Sequence, residues 1–282
     1  MSVAPGDRRG YRGRGERCPT GGMRLTDRDR AVLRDVFLQR AVTRKQLMRL
    51  GHFGSITSAS ERLRILFDHR FLERFAIATD LATAELVYTV GPQAISELVS
   101  SLGVDRSEVK RCVSSGAPLA LAHTVAVTDA RIAFTADPPV GMTVEWLSEV
   151  QVRHEFVVDR TRHVLKPDGA LIFIRGDRPH IGFLEVDRGN VSQPQFERSC
   201  DVYRTYFDLN LHAEAYGAQS ATLIGIVCAG ERRLRSLLAL AAHAGIAAAF
   251  STWKDISEHG PYGAVWRQHA EPETRIRFVE AF

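Results

Sequence analysis

The 282-residue sequence predicts a two-domain α+β protein, an N-terminal winged helix-turn-helix followed by an α/β domain with a mixed sheet. Three observations predict it. Between about Met23 and Leu98, three short helical patterns precede two strand-like runs, the order of a winged helix. The Gly/Ser/Pro-bearing stretch Ser114 to Pro118 then breaks the pattern. Beyond it, helical and strand periods alternate as in layered α/β domains.

Residues 1–22 are rich in Gly and Arg, poor in apolar side chains, and expected to be a disordered tail. Thr26 is a good N-cap, Asp27 and Asp29 suit the positive end of a helix, and Val32, Leu33, Val36 and Phe37 recur at helical spacing. Thr43 caps a second, short helix with Leu47 and Leu50 facing inward, and Gly51 stops it. Gly54 to Thr57 turns into a third helix. Ala59, Leu63, Leu66 and Phe67 share one stripe there, while Thr57, Ser58, Glu61, Arg64 and Ile65 point the other way. Phe71 to Ala78 and Glu85 to Val90 read as the two strands of a wing, and Pro92 to Leu102 as a helix behind it.

The third helix offers a small, polar face with basic flanks, suited to a major groove. The candidate DNA-contacting residues are Arg44, Lys45, Thr57, Ser58, Arg62 and Arg64. Charge agrees: the chain has pI near 9.0 and net charge +4. From Arg24 to Arg74 there are twelve Lys/Arg against six Asp/Glu, whereas the chain beyond Phe75 is slightly acidic. Basic charge gathered at one end is a nucleic-acid footprint. A solvated basic face, or a winged helix used for protein contacts, would show the same pattern.

In the second domain, expected over 118–282, helices are read at Leu119–Phe134, Phe196–Leu209 and Glu231–Ala244. Strands are read at Thr143–Leu147, Leu165–Ile174, Ile181–Val186, Ala221–Cys228 and Ala247–Thr252. No apolar run approaches the roughly 20 residues that cross a bilayer, and the N-terminus lacks the apolar core of a signal peptide. Cys18, Cys112, Cys200 and Cys228 are scattered, so neither a disulfide framework nor a zinc site is expected, and a reducing cytoplasm fits. The lack of a Gly-rich phosphate loop disfavours ATP-driven work.

The residues that invite chemistry are Asp168, after Pro167, and the pair Glu185 and Asp187. Strand alternation puts Phe183, Glu185 and Asp187 on one side of a strand and Val186 on the other. Asp168 joins them if the strand it opens pairs with theirs. Three converging carboxylates suit Mg²⁺ or Mn²⁺. On spacing alone, the same acids could instead be strand-end partners of Arg160, Arg175 or Arg188.

Lys166-Pro167-Asp168-Gly169, a hairpin, and then acid-x-acid on an apolar strand resemble the PD-(D/E)xK nuclease superfamily. More specifically, the chain resembles the replication-relaxation family of plasmid and mobile-element proteins. The residues that carry this are Leu25 to Asp29, Ala122 to Asp129, Phe183 to Asn190, and a helix with Arg198, Tyr203, Arg204 and Tyr206. The resemblance implies a restriction-endonuclease-like fold for the second domain and a role in plasmid replication or mobilisation, with DNA nicking in some members. It implies Asp168 and Glu185 as catalytic metal ligands for Mg²⁺ or Mn²⁺. Asp187 then stands where the superfamily has Lys. An Asp cannot offset transition-state charge as a cation does, but can add a ligand. Arg188, Lys166, Arg198 or Arg204 could supply the cation, though Arg is a poor base. His123 is either an accessory site residue or a hydrogen-bonded core histidine. Tyr203 and Tyr206 suit packing or phosphate contact better than nucleophilic attack, with no HxH cluster to serve them. The expected partner is double-stranded DNA at a plasmid or element origin, with a homodimer left open. A non-enzymatic regulator with a degenerate nuclease fold is the alternative, and a defence nuclease a third reading.

Overall fold

The computed structural model describes residues 22–78, 84–113, 118–175 and 178–282. The expected tail, the tip of the wing and the expected linker at 114–117 lie outside the described residues. The chain divides into two compact units, Met1–Asp129 and Ala130–Phe282. The division falls inside a helix, beyond the Gly/Ser/Pro stretch.

In the first unit, α1 (Asp27–Leu38) starts at Thr26 with a capping box. The Thr26 hydroxyl accepts the Asp29 amide, and the Asp29 carboxylate accepts the Thr26 amide at 2.7 Å. Val32, Leu33, Val36 and Phe37 are buried. β1 (Val42–Thr43) leads into α2 (Arg44–Arg49), capped reciprocally by Thr43 and Gln46. Gly51, at φ +85°, takes the left-handed turn that ends it. α3 (Ile56–Asp68) buries Ala59, Leu63, Leu66 and Phe67, the stripe read from the sequence. β2 (Leu72–Ala78) and β3 (Ala84–Val90) form the wing hairpin. A short 3-10 turn, α4 (Ile95–Leu102) and α5 (Arg106–Val113) close the core with Leu98, Val109 and Cys112. The N-terminal part of α6 (Pro118–Ala136) packs Leu121 against Ala41, Ile77 and Val87.

In the second unit, β4 (Met142–Ser148) and α7 (Glu149–Val152) precede a hairpin of β5 (His154–Val158) and β6 (Thr161–Leu165). β7 (Gly169–Arg175) and β8 (Arg178–Asp187) pair antiparallel, and α8 (Gln193–Asp208) and α9 (Leu211–Tyr216) follow. Next come β9 (Ser220–Val227), α10 (Glu231–Ala244), β10 (Ala248–Thr252), α11 (Trp253–His259), β11 (Ala264–Gln268) and β12 (Glu271–Arg277). The sheet runs β12-β11-β10-β9-β8-β7-β4. β8, β9 and β10 are parallel and the rest antiparallel, so the sheet is mixed. On one face, Phe183 and Leu223 pack under α8 and α10, with Phe196, Tyr203, Tyr206, Leu234 and Leu237. The other face carries an aromatic cluster of Phe134, Phe173, Trp266 and Phe278. Among the described residues, no helix is long and apolar enough to cross a membrane.

The structure departs from the sequence reading in identifiable places. The expected strand Leu165–Ile174 is two strands, because Pro167 has no N–H for a ladder and the chain turns at 166–168. β1 was not expected: two residues are too short to show a period, yet it pairs with β3 and makes the wing sheet three-stranded. α5, the β5–β6 hairpin and everything after β10 were also not read. β12 is an exposed, charged edge strand with no apolar alternation to reveal it.

Candidate functional site

In the first unit, α2 and α3 carry the expected DNA face. Lys45, Thr57 and Arg64 are exposed and Ser58 is half-buried. Lys45 lies 3.8 Å from Glu85, a loose surface pair. Two of the expected contact residues have partners within the fold. Arg62 is drawn inward: its Nε donates to Asp29 Oδ1 at 2.7 Å, and a second guanidinium nitrogen binds Oδ2. Asp29 is fully buried, so this fork holds α3 against the start of α1 and is not presented to a groove. Arg44 donates to Ser60 Oγ at 2.7 Å and braces α2 on α3. The outward cations of this pair of helices are therefore Lys45 and Arg64, with Arg49 paired towards Asp129 at 3.7 Å.

In the second unit, β7 and β8 place the acids. The ladder ends with Gly169 opposite Leu184. Asp168 extends it by one rung: its amide donates to the Leu184 carbonyl at 2.9 Å, and its Oδ2 accepts the Val186 amide at 2.8 Å. The side chain thus does the work of a backbone carbonyl and is held beside Glu185. Gly169 is required next to it, because a Cβ there would sit 2.5 Å from the Trp146 ring. Glu185 points to the α8 side, as alternation required, and accepts the Tyr203 hydroxyl at 2.7 Å.

Burial pushes the Glu185 carboxyl well above the usual carboxylate range, and the charges of Asp168 and Asp187 push it further. The Tyr203 hydrogen bond and the Lys166 ammonium oppose this without cancelling it. Tyr203 is likewise driven well above its ordinary value by burial and by Glu185, so it stays a phenol and a poor nucleophile. Burial raises the Cys200 thiol to about 12, which makes it inert. Tyr206 is buried against His154, its hydroxyl 3.2 Å from Nδ1, in a packing role.

Asp187 is on the same face but otherwise occupied. One oxygen accepts the Gly189 amide and the other accepts Arg233 Nε at 2.7 Å. Arg233 also donates to the Val191 carbonyl at 2.7 Å, so the pair pins the loop after β8 to α10. Asp187 therefore faces its cation within the fold, and Asp168 and Glu185 remain as the carboxylate pair. Among the described residues, no three His, Cys, Asp or Glu side chains form a ready-made metal cluster. The donor chemistry of the remaining pair, two hard oxygen acids side by side, fits Mg²⁺ or Mn²⁺ completed by water and phosphate oxygens.

A cavity of about 240 Å³ opens over Glu185 and Tyr203, between β6 and α8. Val164, Leu165 and Val202 form its apolar wall, and Lys166, Gln195, Arg198 and Ser199 complete the lining. Of the accessory candidates, Arg198 is thus brought to the site. Arg204 is turned away, bound to Asp201 at 2.9 Å and to the Ala244 carbonyl at 3.4 Å. Arg188 is half-buried in the loop after β8. His123 is half-buried on the part of α6 that belongs to the first unit. Lys166, one of the expected sources of the cation, lines the same cavity, whereas the role of Tyr203 as hydrogen-bond donor to Glu185 was not read from the sequence.

Comparison with known proteins places the chain. No functionally curated protein matches it. Two solved structures of the restriction endonuclease FokI, one of them bound to DNA, align with it at 13% identity and a TM-score of 0.28. The alignment takes in 83% of this chain but only 45% of that one, under half the length of the endonuclease. The family described as Replication-relaxation matches residues 33–222, most of both units, and the chain belongs to the replication-relaxation family.

Proposed function

We propose that the protein is a DNA-binding replication-relaxation protein of a plasmid or mobile element, and that its second unit hydrolyses a phosphodiester with the help of Mg²⁺ or Mn²⁺. The single observation that carries this is the placing of Asp168 and Glu185 side by side at the ends of β7 and β8, beneath a cavity rimmed by two cations. Carboxylates that repel one another at a cavity are costly, and such groups cluster where function needs them.

On this reading the winged helix grips duplex DNA through Lys45, Thr57, Ser58 and Arg64. Asp168 and Glu185 hold the metal, which when bound supplies a more acidic water and offsets charge on the phosphate. Tyr203 orients Glu185 by its hydrogen bond. Lys166 provides positive charge beside Glu185 where Asp187 does not. The apolar wall of Val164, Leu165 and Val202 limits water at the carboxylates.

The test is nicking of supercoiled plasmid with Mg²⁺ or Mn²⁺ by the wild type, Asp168→Ala and Glu185→Ala. Metal-dependent nicking lost in both variants supports the reading. Intact DNA binding with no metal-dependent nicking overturns it. That result would favour a non-enzymatic replication accessory, a reading supported by the engagement of Asp187 with Arg233.

A further inference from the structure

The cavity over Glu185 has a composition that a bare carboxylate site does not need. Its mouth carries cations from two elements, Lys166 just after β6 and Arg198 on the second turn of α8. Arg198 is exposed and has no carboxylate partner among the described residues. Lys166 is 3.2 Å from Glu149, a solvent-exposed pair that a stronger anion can displace. Between these cations and the carboxylate floor lies an apolar wall of Val164, Leu165 and Val202, with the polar side chains of Gln195 and Ser199 at the rim. Cations at the mouth select an anion, and the wall selects one that carries an apolar or planar group. At about 240 Å³ the space holds one such unit and excludes a stacked base pair.

We propose that this cavity is a subsite for one nucleotide of a single DNA strand, its phosphate held between the Lys166 ammonium and the Arg198 guanidinium. The inference rests on the nuclease reading above and names the form of its substrate: a strand locally separated from its complement, with one residue drawn into the second unit. Phosphate recognition by a guanidinium and an ammonium, and an apolar surface for the sugar or base, are the two elements of sequence-tolerant single-strand binding. Glu149 restrains Lys166 until the phosphate arrives.

The test is calorimetric titration of the full chain in EDTA with thymidine 3′,5′-bisphosphate, and separately with inorganic phosphate. The bisphosphate is expected to bind about tenfold or more tighter than phosphate. Lys166→Ala and Arg198→Ala are each expected to weaken it about tenfold, while Arg204→Ala, on the same helix but facing α10, leaves it unchanged. Both cations are on the surface, so unchanged melting of the variants verifies their folding. Equal binding of phosphate and bisphosphate, or bisphosphate binding unmoved by both variants, overturns the proposal. Because metal is absent, the outcome is separable from the nuclease reading. Nicking that needs Asp168, with nucleotide binding indifferent to Lys166 and Arg198, removes the subsite alone. Binding that follows the two cations without any nicking removes the nuclease alone.

Discussion

The Tyr203 hydroxyl donates to Glu185 Oε1 at 2.7 Å, joining the third turn of α8 to the C-terminal end of β8. Because burial and the neighbouring acids raise the Glu185 carboxyl, the folded protein holds that proton more tightly than the unfolded chain does. Stability therefore falls as pH rises from the ordinary carboxylate range through the folded value. Glu185→Gln cannot titrate. In EDTA it is expected to melt above the wild type once the pH lies above the folded Glu185 value, and to lose the fall in stability as pH rises above the ordinary carboxylate range; it is also expected to abolish nicking. Melting curves across that range check it; a variant with the wild-type slope would show that Glu185 is not the acid responsible.

Arg62 and Arg64 are two residues apart and should part company completely. Arg62→Ala strands the buried Asp29 carboxylate and is expected to cost about 3 kcal/mol of stability. Arg64→Ala leaves melting unchanged but weakens duplex binding several-fold and lowers the salt dependence by about one counterion. Denaturant unfolding and binding titrations at several salt concentrations separate the two effects.

Acid should loosen the winged helix through Asp29. Burial alone pushes this carboxyl up, but hydrogen bonds from Arg62 and Thr26 outweigh it and hold it below the usual range. Its contribution is present above the ordinary carboxylate range and is lost as pH falls through the folded value. Asp29→Asn should be less stable at neutral pH and show a flatter acid limb, followed by circular dichroism in an acid titration.

A lysine at position 187, where the nuclease superfamily that the motif resembles carries one, should harm this protein. Asp187→Lys sets a second cation against Arg233 and leaves the Gly189 amide without its acceptor. Arg233→Ala is expected to cost about 3 kcal/mol, and Asp187→Lys at least as much. A double-mutant cycle on Asp187→Asn and Arg233→Ala should give a coupling above about 1 kcal/mol; additive effects would mean that the pair is incidental.

What could be read in advance depended on the distance over which each feature is encoded. α1 and α3 announce themselves because cap and apolar stripe lie within one stretch of chain, and α10 because its leucine stripe runs up to Gly245. Alternation along β8 was enough to put Glu185 and Asp187 on one face. The partners of the charged residues were not legible: Arg62 meets Asp29 across 33 positions, and Arg233 meets Asp187 across 46. Such pairs form only once helices pack, so an arginine on a polar helix face reads as a DNA contact until its partner is seen. Tyr203 was visible as a buried ring but not as the donor to Glu185. The hairpin β5–β6, which supplies Val164 and Leu165 to the cavity, was hidden because its exposed residues weaken the strand period.

The contact between Gly169 and Trp146 gives the molecule a built-in optical reporter. The indole lies against the backbone immediately after Asp168, on the strand that pairs with β7. Any event that shifts the Asp168 turn changes the surroundings of this ring, whereas Trp266 is fully buried with its nitrogen donating to the Pro261 carbonyl and Trp253 lies on α11, away from that turn in the chain. Occupation of the acidic site can thus be followed in the unlabelled protein by the change in the emission that Trp146 contributes.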